Sequence, residues 1–186
     1  MFEFKSIGGG VRAALAGLAA VIVTAAGAQA SSEDADAVIA VLEDVKAAWN
    51  VEDFPRIESH WHADDPMPIY IAEEETAVMT TWPEIRAYWA GTADWNEWIL
   101  IEYSDYAVKL VDEGNAVATF NLRFDVKLND RPNPIGGDNR TVVNLRKIDG
   151  AWKIHTWVEA PLAAIVYLRK LYELNVRADA TRASED

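Results

Sequence analysis

The sequence contains no cysteine, which removes disulfides, thiolate zinc sites, iron–sulfur ligation and thiol nucleophiles together. Export to an oxidising compartment stays open, because disulfides accompany export without being required by it. Cations are the second shortage: 17 Lys and Arg stand against 30 Asp and Glu, a formal net charge of −13. Nucleic-acid backbones are held by clustered cations, so nucleic acid is excluded as a partner. Gly-rich phosphate loops, a nucleophile elbow and HExxH are also missing, which argues against nucleotide use, serine hydrolysis and zinc proteolysis. No cofactor and no metal are expected. Any chemistry falls to carboxylates and the three histidines.

What is present is apolar: 51% of the 186 residues, enough for one real core in one domain. Internal repeats and low-complexity tracts are absent. The first thirty residues have the three parts of a secretory signal: Lys5 and Arg12, an apolar stretch from Ala13 to Ala26, then Ala28-Gln29-Ala30 before a serine-led acidic segment. Residues 1–30 are therefore expected to be a signal peptide, and residues 31–186 one periplasmic or secreted domain. The apolar stretch is short for a span of about 20 residues, so no membrane span is expected after cleavage; the competing reading is an uncleaved anchor.

Ser31 to Asp34 cap a helix in which Val38, Val41, Leu42, Val45, Ala48 and Trp49 recur at helical spacing. A second helix is expected from Asp53 to about His62, and a third after the capping box Thr81-Trp82-Pro83-Glu84. From Trp98 the period becomes two, with strands over Trp98–Val111, Asn115–Leu128, Arg140–Ile148 and Ala151–Val158, a loop over Asn129–Asn139, and hairpin signals at Asp112–Gly114 and Asp149-Gly150. A last helix is expected after Pro161, carrying Leu162, Ile165, Leu168, Leu171 and Tyr172.

This order, with a short strand at Pro68–Glu74, resembles the SnoaL-like members of the nuclear transport factor 2 and ketosteroid isomerase superfamily. The resemblance rests on Asp53-Phe54, Trp61, Asp64-Asp65, Thr81 to Trp89 and Asp149 to His155, and covers about residues 34–160. It implies an α+β fold, a cone-shaped curved antiparallel sheet wrapped around helices, with a pocket at the wide end and pairing into homodimers. In ketosteroid isomerases a carboxylate near the end of the first strand abstracts a proton, and Glu73 or Glu74 lies at about that place here.

The candidate catalytic residues are Glu73, Glu74 and His155. A carboxylate held among aromatic rings has its charged form disfavoured and moves toward general-base pKa values; the plainer reading of Glu73-Glu74-Glu75 is a solvated acidic turn. His60 and His62 stand near Asp64-Asp65, but residues two apart do not share a helix face, so no metal site is assigned. Arg123 and Asp125 share a strand face and read either as a site for a ligand carboxylate or, more simply, as partners of charges on adjacent strands. Eight tryptophans are many for a small core. Trp49, Trp61, Tyr70, Trp89, Phe124, Trp157 and Glu159 are the expected ligand-binding residues, the alternative for the aromatics being that they fill a large core. On the last strand, Trp152, Ile154, Thr156 and Val158 alternate with Lys153, His155, Trp157 and Glu159, and periodicity does not say which set faces inward.

The leading expectation is an exported binder of a small, mostly apolar or aromatic molecule in an aromatic-lined pocket. The alternatives are a cofactor-independent isomerase, dehydratase or cyclase using a pocket carboxylate or histidine, and a dimeric assembly module. A buried acid–base pair at the pocket floor favours the enzyme; an all-apolar cavity favours the binder.

Overall fold

Helix α1 (Ala16–Trp49) begins well before the expected cap, because the Ala-rich run and the residues from Ser31 to Ala37 contain no proline and propagate helix freely. The computed structural model describes residues 16–164 with 168 and 171, and side chains from residue 32 onward. The α1 face predicted from periodicity is the buried one: Val38, Leu42, Val45, Ala48 and Trp49 all belong to the core. The Asn50 amide then bonds both polar groups of Ile101, accepting from its N–H at 2.6 Å and donating to its carbonyl at 3.0 Å. This imitates a strand partner and pins the end of α1, with Trp49, to the sheet.

Helix α2 (Phe54–Ser59) is capped by Asp53, whose side chain accepts from the Arg56 N–H at 3.1 Å. Asp44 on α1 takes Arg56 and, at 2.6 Å, His60 Nε2, joining the two helices. Helix α3 (Trp82–Trp95) starts at the predicted capping box: Glu84 Oε2 accepts from the backbone N–H groups of Thr80 and Thr81, each at 3.0 Å.

Strands β1 (Ile69–Ile71), β2 (Asn96–Asp112), β3 (Asn115–Leu128), β4 (Ile135–Ile148) and β5 (Ala151–Pro161) form one curved, unclosed sheet in the order β1-β5-β4-β3-β2. β2 to β5 make the expected antiparallel meander, whereas β1 pairs with β5 in parallel. The β4–β5 turn has positive φ at both Asp149 (50°) and Gly150 (82°), the geometry for which Asp-Gly is selected in two-residue hairpins. Along β3, Ala116, Ala118, Phe120, Leu122 and Val126 are buried, as alternation required.

Two strands depart from expectation. β4 begins at Ile135, inside the segment expected as a loop, because Ile135, Gly136 and Gly137 pair with Val126, Asp125 and Phe124. A Cβ on Gly137 would lie 2.7 Å from the Phe124 ring, and one on Gly136 would overlap Asp125 Oδ1, so glycine here serves close cross-strand approach. On β5 neither alternating set is inward throughout. Leu145 pairs with Ile154 and Asn144 with Thr156, leaving His155 as an inserted residue. The bulge reverses the faces: Trp152 and Ile154 are buried before it and Trp157 after it.

Among the described residues no helix is long and apolar enough to cross a membrane. Most of the expected last helix, including Ile165 and Tyr172, lies outside the described residues.

Candidate active site

The register that follows the β5 bulge builds the site. Trp157 pairs with Tyr70 on β1, and their rings stack at 6.3 Å with planes 9° apart. Two residues on, Glu159 stands opposite Thr141 of β4, which in turn faces Phe120 of β3. The concave side of these strands, the end of α1, one side of α3 and the turn after β1 enclose a cavity of about 490 Å³. Its walls are apolar and aromatic: Trp49, Trp95, Ile99, Ile101, Leu122, Phe124, Val126, Leu128, Ile135 and Trp157. The polar groups are Tyr70, Tyr88, Tyr103, Asn96, Thr92, Asn139 and four glutamates, Glu73, Glu74, Glu75 and Glu159.

Glu159 is the innermost charge. Its Oε1 accepts from the Trp157 indole at 2.8 Å and from the Tyr70 hydroxyl at 3.3 Å, and its Oε2 faces the Glu73 N–H at 3.4 Å. Burial pushes its pKa up to about 7; the Trp157 N–H opposes this, the charge on Glu74 adds to it, and Glu73 contributes in both senses through its N–H and its charge. Glu73 is also raised, by burial and by Glu74, against the lowering effect of a hydrogen bond from the Asn139 side chain. Tyr88 donates to Glu74 Oε1 at 2.6 Å. Burial raises Tyr70, Tyr88 and Tyr103 far enough that all three stay neutral hydroxyls at physiological pH. Tyr103 Oη and Asn139 Oδ1 are buried with no hydrogen-bond partner among the described residues.

A carboxyl titrating near neutrality, fixed by an indole and a phenol at the end of an apolar cavity, has the make-up of a general acid or base. This architecture has a family. A model of the SnoaL-like domain matches residues 38–163. The chain belongs to the SnoaL-like family. Solved structures share the SnoaL-like fold at low identity. A nuclear transport factor 2-like superfamily protein from Salmonella enterica is 15% identical, with a TM-score of 0.64 over 72% of this chain and 94% of its own. A protein from Novosphingobium aromaticivorans, provisionally named a scytalone dehydratase, is 11% identical, with a TM-score of 0.66 over 73% and 89%. A hexachlorocyclohexane dehydrochlorinase of type 2 is 14% identical, with a TM-score of 0.61 over 73% and 93%. No curated protein matches the sequence.

Within this SnoaL-like domain, Trp49, Tyr70, Phe124, Trp157, Glu159, Glu73 and Glu74 come together around the cavity. Trp61 and Trp89 do not line it. They pack behind Tyr70, at 6.0 and 6.2 Å between ring centroids, and border a shallow outer groove with Phe54, Arg86 and Lys153. His155 does not line it either. The bulge leaves His155 beside Arg146, and burial together with that guanidinium lowers its pKa, partly offset by Asp65. His60 is taken up by Asp44, and Arg123 pairs with Asp125 of its own strand at 2.5 Å and, across to β4, with Asp138 at 3.6 Å. The sequence reading missed Tyr88, Tyr103, Trp95 and Asn139 as site residues. Tyr88 was legible as an apolar-face residue of α3 and Tyr103 from β2 alternation; Asn139 was hidden by the turn-like composition before it.

Proposed function

We propose that this SnoaL-like domain binds a small, mostly apolar or aromatic molecule in the 490 Å³ cavity and moves a proton on it without a cofactor, with Glu159 as acid and base. The observation that carries the reading is the Glu159 carboxyl, held by Trp157 and Tyr70 at the inner end of an apolar cavity. With a pKa of about 7, it is present in both protonation states at neutral pH, which suits abstraction of a proton and its later return. The Tyr103 hydroxyl, unpartnered on the same wall, supplies a donor for an oxygen that gains charge. Two fold relatives bear the names of a dehydratase and a dehydrochlorinase. Both are eliminations, and loss of a leaving group after proton abstraction fits one acid–base group in a mostly apolar pocket.

The test is a screen of small aromatic and alicyclic ketones, alcohols and halides, first for changes in tryptophan emission and then for turnover. For any compound turned over, Glu159→Gln is expected to lower kcat by about 100-fold or more while binding persists. Unchanged turnover overturns the assignment. Binding without turnover of any compound supports the second reading, a carrier; that reading is favoured by Glu159 Oε1 being already occupied by two donors.

The reading includes export and self-association. Cleavage after Ala30 is supported by the Ala28-Gln29-Ala30 pattern, and an intact mass beginning at Ser31 is expected; one beginning at Met1 overturns it. A homodimer is supported by family likeness, and sedimentation equilibrium at micromolar concentration is the check, a monomer throughout being the contrary result.

A further inference from the structure

We propose that the molecule taken by this cavity is an organic cation: an ammonium or similar charged nitrogen on an apolar, aromatic-sized body. The inference rests on the reading of the cavity as a small-molecule site and adds the charge of its occupant. Four glutamates line one cavity, and no Lys, Arg or His lines it with them among the described residues. Elsewhere on the described chain, partly exposed carboxylates are paired with cations: Asp34 with Lys147, Asp44 with Arg56, Glu58 with Arg86. Those of the cavity receive only neutral donors, the hydroxyls of Tyr70 and Tyr88, the Trp157 indole, the Asn139 amide and one backbone N–H. Glu73 and Glu159 are partly buried, while Glu74 and Glu75 are exposed; negative charge drawn out of water without a counter-charge is costly, and an entering cation removes that cost.

A second observation, independent of the glutamates, points the same way. Asn139 is 2% exposed and lines the cavity; its side chain already bonds Glu73, and its Oδ1 is left without a partner among the described residues. A lone buried acceptor calls for a donor, and an ammonium has up to three N–H groups and no acceptor. Tyr103, 8% exposed, offers a further unpartnered oxygen on the same wall. Tyr88, Trp95 and Trp157 add aromatic rings to the lining, and such rings attract cations through their quadrupoles. At the opposite end, Ile99, Val126, Leu128 and Ile135 suit an uncharged body. The net charge of −13 raises the local concentration of cations and repels anions.

Three probes of one shape separate the possibilities: 4-phenylbutylamine, 4-phenylbutan-1-ol and 4-phenylbutanoate, titrated against the full chain by tryptophan emission and by thermal shift. The amine is expected to bind at least about tenfold more tightly than the alcohol, with the acid weakest of the three, as follows when a charge-assisted bond replaces a neutral one. In Glu159→Gln and in a Glu73→Gln/Glu74→Gln double variant, the preference for amine over alcohol is expected to shrink to about threefold or less. Equal binding of amine and alcohol, or tightest binding of the acid, overturns the cationic ligand and leaves the apolar cavity reading standing. No response to any of the three overturns both.

Discussion

Replacing Glu159 by Gln should make the protein more stable at alkaline pH and change it little in mild acid. An ordinary glutamate titrates near 4.5, and Glu159 titrates at about 7 because the fold shields its carboxylate and faces it with other carboxylates. In the unfolded chain the group ionises at its ordinary value. Between those two pH values the folded state holds a proton that the unfolded state has released, so stability falls as pH rises. Below about pH 4.5 both states are protonated and no penalty exists; above about pH 7 it is complete. At about 1.4 kcal/mol per pH unit, the penalty is on the order of 3 kcal/mol. Gln keeps the shape and can still accept from the Trp157 indole and the Tyr70 hydroxyl, but it never ionises. Urea unfolding of both proteins at about pH 5 and pH 8 should show Glu159→Gln gaining roughly 2 to 3 kcal/mol on the parent between the two, with unchanged m-values. Glu73 and the surface groups titrate in both proteins and largely cancel in the difference. If the variant's advantage is the same at both pH values, Glu159 is not a shielded carboxyl, and the acid–base assignment falls with it.

The remaining predictions probe how the site is held. Trp157→Phe removes the main donor that keeps the Glu159 pKa down, so the carboxyl midpoint, read by infrared titration, is expected to move above about 7. Gly137→Ala places a Cβ 2.7 Å from the Phe124 ring; with the ring pushed toward the cavity, ligand affinity should fall about tenfold and stability by about 1 to 3 kcal/mol. Gly91→Ala, on helix α3, meets nothing within 4 Å and should raise stability by about 0.5 to 1 kcal/mol, the ordinary helix preference for Ala over Gly. Asp44 is held at about 2 by Arg56 and then His60, so its contribution is present above its ordinary pKa of 3.8 and disappears as pH falls through about 2. Because the pair is roughly 40% exposed, Asp44→Asn is expected to cost only about 1 kcal/mol at neutral pH, a difference that should narrow in acid unfolding curves.

The chain by itself determined whatever depends on neighbours in sequence. The buried stripe Val38-Leu42-Val45-Trp49 follows from a period of 3.6 and the β3 face from a period of two. The start of α3 follows from Thr81 and Glu84, and the β4–β5 turn from the positive φ that Asp149-Gly150 accepts. The same local reasoning led to Glu73, Glu74, Tyr70 and Trp157. What it did not reach was decided by partners distant in sequence. Glycines 136 and 137 look like a loop until β3 supplies Asp125 and Phe124 as their partners. Trp61 and Trp89 are indistinguishable from Trp157 as tryptophans, and only packing puts them behind Tyr70. The decisive case is β5, where one residue, His155, has no place opposite Asn144 and Leu145. That bulge exists only in pairing with β4, since an isolated strand has no register to break, and it alone turns Trp157 and Glu159 inward after Trp152 and Ile154.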